Sequence, residues 1–240
     1  MNQKKLKYQR ILLKLGGEVF AKKDGWGISF TAFDKIAQQL IKIKMAKGVQ
    51  LAIVVGAGNI FRSREVEGRE IDEAVADAMG MLGTVINGLA LQEALERQGV
   101  STRMMTAFEM KAVAEPYIRR RTLRHLEKGR ILIFTAGVGS PFFTTDSAAA
   151  LRACEINCDL ILKTTNVDGV YSADPQTDQQ AKKYLKISYQ QAIKKNIKVM
   201  DATAFALCWK KKKPIIVFNI RDIDKIPNIL VGKKLGTLIS

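Results

Sequence analysis

Two lysines stand inside apolar runs, where a charge is expensive. Lys14 interrupts "ILLKL" just before Gly16 and Gly17, and Lys163 follows "LIL" in "DLILKTTN". Continuous apolar runs of this kind read as strands covered on both faces, as in a parallel sheet. An isolated ammonium there costs free energy or gives up its proton, so either the side chain snorkels out or an anion meets it. Because both lysines end such strands, both can point to one crevice.

Other residues suit the same chemistry. In "PFFTTDSAAALRACEI", Thr144, Thr145 and Asp146 come just before an alanine-rich helical stretch. Free N–H groups and the helix dipole favour anions at such a place. Asp146 has two readings here: an N-cap, for which aspartate is preferred, or a carboxylate that orients a lysine beside a transferring phosphoryl group. Arg62, four residues past the "GAG" turn, offers a planar fork for a phosphate. Three apolar runs end in glycine turns, at Gly16–Gly17, Gly56–Gly58 and Gly137–Gly139, each able to bring backbone N–H groups to an anion. No G-x-x-x-x-G-K-[ST] occurs, and both "GAGNIF" and "GVGSPF" put phenylalanine where a dinucleotide fingerprint needs its third glycine. The parts together suit phosphoryl transfer between two anionic substrates, in which protein supplies alignment and charge neutralisation. Magnesium is expected on the phosphates, with no metal held by the protein, because no carboxylate cluster forms a cage.

These side chains need a scaffold that gathers strand ends. Five apolar runs, "RILLKLGG", "QLAIVVGAGN", "RILIFTAGVGSP", "CDLILKTTNVDG" and "KPIIVFN", each close on small or polar residues, and a sixth strand is expected within residues 100–107. Helical spacing separates them, as in Phe33, Ile36, Ala37, Leu40 and Ile41, and in "ADAMGMLGTVINGLALQEALERQG". Alternating strands and helices predict an α/β fold with a largely parallel sheet, whose ligands bind beyond the carboxyl ends of the strands. Residues 163–213 change character, with a hairpin expected at Asp168–Gly169, a turn at Asp174–Pro175 and more lysine. No Pro/Ser-rich linker marks a domain boundary.

Composition narrows the classes further. The chain has 240 residues, of which 47% are hydrophobic, enough for a substantial core. No uninterrupted run of eighteen apolar residues occurs, and the basic start leads into a strand rather than a signal-peptide core, so the expected location is cytoplasmic, with no membrane. Cys154, Cys158 and Cys208 fall short of a disulfide framework; Cys154 and Cys158, four apart, could share a helix face, and packing is their expected role. The formal charge of +16 is scattered along the chain. Such a field concentrates small phosphates, and a nucleic-acid-binding protein stands as the non-enzyme alternative. The single histidine, His125, sits in a polar helical stretch and reads as a surface residue, which argues against a histidine-activated hydrolase.

Longer motifs add a resemblance. Through "RILLKLGGE", "VVGAGNIFR", "ADAMGMLGTVINGLALQ", "GSPFFTTDSAAALRA", "TTNVDGVYSADP", "KVMDATA" and "GKKLGTLI", the chain resembles the bacterial uridylate kinases, the UMP kinase branch of the amino acid kinase family, almost end to end. The resemblance implies a three-layer αβα sandwich forming one domain over residues 1–240. Its acceptor lobe would span roughly 1–160 and its ATP lobe roughly 161–240. It also implies ATP-dependent conversion of UMP to UDP in pyrimidine nucleotide biosynthesis, a homohexamer, and GTP and UTP as effectors, with nucleic acid not the main partner.

By the same resemblance Lys14, Arg62 and Asp146 are catalytic. Lys14, Leu15, Gly16, Gly17, Gly58, Arg62, Thr165, Asn166, Tyr171 and Asp174 serve ATP. Ala57, Asp77, Val138, Gly139, Ser140, Pro141, Phe142, Phe143, Thr144 and Thr145 serve UMP, with Asp77 accepting from the ribose hydroxyls. Asp201 of "KVMDATA" has a structural role. The segment 22–27, "KKDGWG", resembles a loop linked to GTP activation in some members. Three departures stand out: Gly16 replaces the family's serine, Ala57 a glycine and Ser63 a glycine. Kinases of the same family that phosphorylate carboxylates are the competing enzymes, and "PFFTTD" with "ADAMG" argues for the nucleotide branch.

Overall fold

A computed structural model describes residues 6–62, 70–197 and 199–240. Ser63 lies outside the described residues. The six expected strands form as β1 (Arg10–Leu15), β2 (Gln50–Val55), β3 (Thr102–Thr106), β5 (Ile131–Thr135), β6 (Leu160–Thr165) and β10 (Ile215–Asn219). Among the described residues, short strands β4 (Glu115–Pro116), β9 (Lys186–Ile187) and β11 (Thr237–Ile239) complete a nine-stranded sheet in the order β4-β3-β5-β2-β1-β6-β10-β11-β9. Neighbours pair in parallel except β10 with β11. The central strands are apolar on both faces because helices cover both.

On one face Ile11, Leu13 and Leu15 of β1 pack with α1 (Phe30–Lys44) and α2 (Glu73–Glu96). On the other, Leu12 packs with α4 (Thr145–Glu155), α5 (Tyr189–Lys194) and α6 (Ala202–Lys210). This is the expected three-layer sandwich. Burying each large aliphatic side chain contributes about 1.5–3 kcal/mol, so the two layers dominate the folding free energy. Serine and aspartate caps fix where the first pair of helices begins: Ser29 accepts from Ala32 N–H, and Asp72 from Ala74 and Val75 N–H. The last helix, α7 (Ile226–Leu230), closes the first layer.

The period of two along a strand decides where Lys14 goes. It shares a face with Leu12, so it points toward α4, and by the same count Lys163 of β6 shares a face with Ile161. Lys14 and Lys163 are register partners across β1 and β6. The four parallel strands β5, β2, β1 and β6 are neighbours, so the "GVG", "GAG" and "GG" turns and Lys163–Thr165 all emerge at one edge.

Three expectations change. No hairpin forms at Asp168–Gly169: β6 already has β1 and β10 on its two sides, so β7 (Val170–Tyr171) pairs instead with β8 (Lys183–Tyr184) in a separate two-stranded sheet. The turn at Asp174–Pro175 does form, with Asp178 N–H donating to the Asp174 carbonyl at 2.8 Å.

His125 is buried, 8% exposed, rather than on the surface. It lies in α3 (Arg119–Glu127) on the stripe of Thr122 and Leu126, while the arginines of the same helix face out. Arg130 donates to its Nδ1 at 2.8 Å, which leaves the proton on Nε2, 3.1 Å from Glu115. Cys158 lies past the end of α4, so it does not share a helix face with Cys154; Cys158 and Cys208 are buried, Cys154 partly so, and all three are free.

Candidate functional site

The two lysines meet their anion. Asp146, in the first turn of α4, lies between them: Lys163 Nζ donates to Asp146 Oδ2, and Lys14 Nζ is 3.2 Å from Oδ1, close as an ion pair but outside hydrogen-bonding geometry. All three side chains are 13–14% exposed. Burial by itself would raise the Asp146 pKa, yet Lys14 and Lys163 outweigh it and hold the carboxyl below its ordinary value. Burial lowers the Lys163 pKa, against the pull of Asp146. Two ammonium groups share one carboxylate, so the trio carries net positive charge at a strand end, where another anion completes it.

Asp146 is not the helix cap. Thr144 takes that place, its hydroxyl accepting from the N–H groups of Asp146 and Ser147, which frees the Asp146 carboxylate for the lysines. Asp201 braces the same turn. It caps α6 through Ala204 N–H and also accepts from the hydroxyls of Thr144 and Ser147. Its structural role therefore has a definite object, the start of α4. Lys163 also donates to the Val199 carbonyl, just before that cap.

The glycine turns pack backbone against backbone. A Cβ at Gly17 would lie 2.3 Å from the Gly58 nitrogen, so no side chain fits. At Gly16 the space is filled by the Glu18 carboxylate, 2.0 Å from where a Cβ would stand, so a serine there needs Glu18 to move. The extra methyl of Ala57 is met by a missing one: a Cβ at Gly83 of α2 would lie 2.8 Å from it. Arg62 Nε donates to the Gly58 carbonyl at 2.5 Å, and its guanidinium lies over the Trp26 ring at 4.9 Å. Leu15, at the end of β1, is fully buried and presents only backbone to this edge.

Two cavities flank the trio. One, about 590 Å³, is lined by Lys163, Thr165, Tyr171, Asp174 and Val199 among others. Asn166 is not on that wall; its carbonyl accepts from Asn219 Nδ2 at 2.8 Å. The other, about 350 Å³, is lined by Ala57, Asp77, Phe142, Phe143, Thr144 and Thr145, together with Phe61, Glu73, Gly80, Met81, Thr84 and Gly137.

Asp77 Oδ2 accepts from Phe142 N–H at 2.7 Å and so holds Phe142 in a left-handed conformation, φ 69°. Val138, Gly139, Ser140 and Pro141 do not line this cavity: Val138 packs toward the α4 layer, and Gly139 closes a turn on the Ala136 carbonyl. The wall that α2 provides, Gly80, Met81 and Thr84, lies within the "ADAMGMLGTVINGLALQ" motif, though the motif by itself marks none of the three as a site residue. Among the described residues no group of three or more His, Cys, Asp or Glu could hold a metal ion, and the one buried carboxylate at this edge is engaged by two lysines.

Comparison with known proteins follows the same line. A model of the amino acid kinase family matches residues 9–219. The structure of UMP kinase from Bacillus anthracis is 40% identical, with a TM-score of 0.93 over 97% of this chain and 96% of that one. UMP kinase from Ureaplasma parvum is 37% identical, with a TM-score of 0.90 over 98% and 100%. Uridylate kinase from Archaeoglobus fulgidus is 25% identical, with a TM-score of 0.69 over 96% and 99%.

Proposed function

Because the chain belongs to the amino acid kinase family, we propose that it transfers the terminal phosphoryl group of ATP to UMP, giving ADP and UDP. The observation that carries this reading is the Lys14–Asp146–Lys163 trio, with net positive charge, between two nucleotide-sized cavities. The acceptor lobe, about 1–160, holds the smaller cavity and the ATP lobe, about 161–240, the larger. UMP enters between Asp77 and the Phe142–Thr145 loop, and ATP lies along Thr165, Tyr171 and Asp174 with its phosphates on the Gly16–Gly17 and Gly58 turns.

Lys14 and Lys163 neutralise charge that spreads over the phosphoryl oxygens, Asp146 keeps both ammonium groups aimed there, and Arg62 adds a planar donor. Mg2+ is proposed to arrive on the phosphates. A coupled assay of ADP release over a panel of UMP, CMP, AMP, GMP, acetylglutamate and aspartate tests the reading. UMP is the expected preferred acceptor, and turnover with an amino acid but not with UMP overturns it.

Asp77 separates acceptor from donor. Asparagine at 77 keeps an oxygen for Phe142 N–H but loses the charge that a ribose diol meets. Asp77→Asn is expected to weaken UMP binding by about 1.5–3 kcal/mol, the range for hydrogen bonds to a charged group, and to leave ATP binding unchanged. Calorimetric titration of each nucleotide decides; equal loss of both makes Asp77 structural.

The proposal includes a cytoplasmic homohexamer responsive to GTP and UTP. Supporting assembly, α2 turns Val75, Met79, Leu82, Ile86 and Leu89 outward, each 39–53% exposed, at alternating spacings of four and three. That is the seam of a helix that packs on another helix, and a patch of this kind marks an interface. By length and composition alone α2 is also apolar enough to cross a membrane, its buried and outward residues together. Leu82→Glu with Ile86→Glu is expected to reduce the mass seen by sedimentation; an unchanged mass places the contact elsewhere.

A further inference from the structure

Beneath the "GAG" turn lies a pair of buried amides that the phosphoryl chemistry does not itself require. Asn59 and Asn87 are both fully buried. Asn87 Nδ2 donates to the Gly56 carbonyl at 2.8 Å and to Asn59 Oδ1 at 2.7 Å. Asn59 Nδ2 donates to Asn87 Oδ1 at 3.1 Å and to the Gly27 carbonyl at 3.0 Å. Both hydrogens of both amides are thus used, and Gly27 N–H closes the circuit on the Asn59 carbonyl at 2.6 Å. Burying two primary amides is costly unless every group is matched, and an apolar pair would fill the same space more cheaply. What an apolar pair could not do is hold two backbone carbonyls from two separate loops.

The segments joined are the ones that face the donor phosphates. Gly56 opens the turn whose Gly58 packs against Gly17. Gly27 follows Trp26, whose ring lies under the Arg62 guanidinium. Asn87 belongs to α2, the long helix whose Gly83 and Gly88 bring it close to the turn and the sheet. We propose that Asn87, acting through Asn59, is a positioning residue for phosphoryl transfer: it sets the Gly56–Asn59 turn and the Trp26–Gly27 loop against α2, so that the turn's backbone N–H groups and Arg62 face the donor phosphates. This rests on the kinase reading above. Misplacing a reacting arrangement by an ångström costs as much as about 10²-fold in rate, so an internal bond network can control turnover without touching substrate.

The test compares Asn59→Leu, Asn87→Leu and the double variant in a Trp209→Phe background, where Trp26 is the remaining tryptophan. Each single change strands one buried amide and is expected to lower Tm, whereas the double change removes both amides and restores part of it, the Gly27 and Gly56 carbonyls still lacking their donors. Turnover is expected to stay at least about tenfold down in all three, with weaker ATP binding read from Trp26 fluorescence, because no variant holds both loop carbonyls. Recovery of kcat in step with Tm in the double variant, or Trp26 emission and ATP affinity like the parent's in all three, overturns the proposal and leaves the pair a core element. If the leucine variants do not fold, Asn87→Ser, which keeps one donor, is expected to fold with kcat and ATP affinity both below the parent's; unchanged kcat and ATP affinity overturn the proposal. A parent protein that binds ATP but does not phosphorylate UMP would count against the acceptor assignment alone, since the ATP and Trp26 readings stand without it.

Discussion

Asp146→Asn is expected to abolish phosphoryl transfer and to destabilise the protein as well. Asparagine matches aspartate in shape, and the start of α4 keeps its cap because Thr144 provides it. What is lost is the carboxylate charge between two ammonium groups that are register partners on adjacent strands. Removing one partner of a buried pair costs about 3–5 kcal/mol, because the remaining charge is left uncompensated. The double variant Asp146→Asn with Lys163→Met relieves that repulsion, so it should recover stability while turnover stays lost.

The acid limb of stability checks the same charges. The folded Asp146 carboxyl lies below its ordinary value of 3.8, so its contribution is complete above that value and lost as pH falls toward the folded one. The Asp146→Asn protein should lack this part of the acid dependence. Denaturant titrations between neutral pH and pH 2–3 (approximate bounds set by that carboxylate range) decide the matter. Intact turnover in a folded Asp146→Asn protein sinks the assignment.

Lys14→Met is expected to do the opposite to stability and the same to rate. Methionine keeps the stem and fills the apolar strand, while Asp146 retains Lys163, so the remaining pair is neutral. The protein should fold with a melting temperature at or above the parent's. Losing one preorganised donor to a developing charge costs about 10²- to 10³-fold in rate, and the loss should appear in kcat more than in the KM for UMP. Single-turnover kinetics with saturating ATP and UMP separate this from weak binding. Near-normal kcat would remove Lys14 from the chemistry and make Asp146 and Lys163 a purely structural pair.

By itself the sequence determined the five central strands, because burial on both faces leaves a continuous apolar run, as in "AIVV" and "ILIF", whereas the short edge strands carry no such run. It also exposed Lys14 and Lys163, because a charge in such a run violates the pattern locally and needs no tertiary information to be seen. Extended motifs carried the family, since residues 9–219 match as one unit. Tertiary structure decided what depends on which chain segments are adjacent. Asp146 reads equally well as a cap or as a counter-ion until the register of β1 with β6 puts two ammonium groups beside it and Thr144 takes the cap. An Asp-Gly pair at 168–169 signals a hairpin only where the preceding strand has a free edge, and β6 has none. His125 reads as a surface residue in one dimension, and the Asn59–Asn87 pair carries no mark of burial there. They are buried because partners on other elements, Glu115 of β4 for one and Gly27 and Gly56, 32 and 31 residues away, for the other, supply the hydrogen bonds that water would otherwise provide.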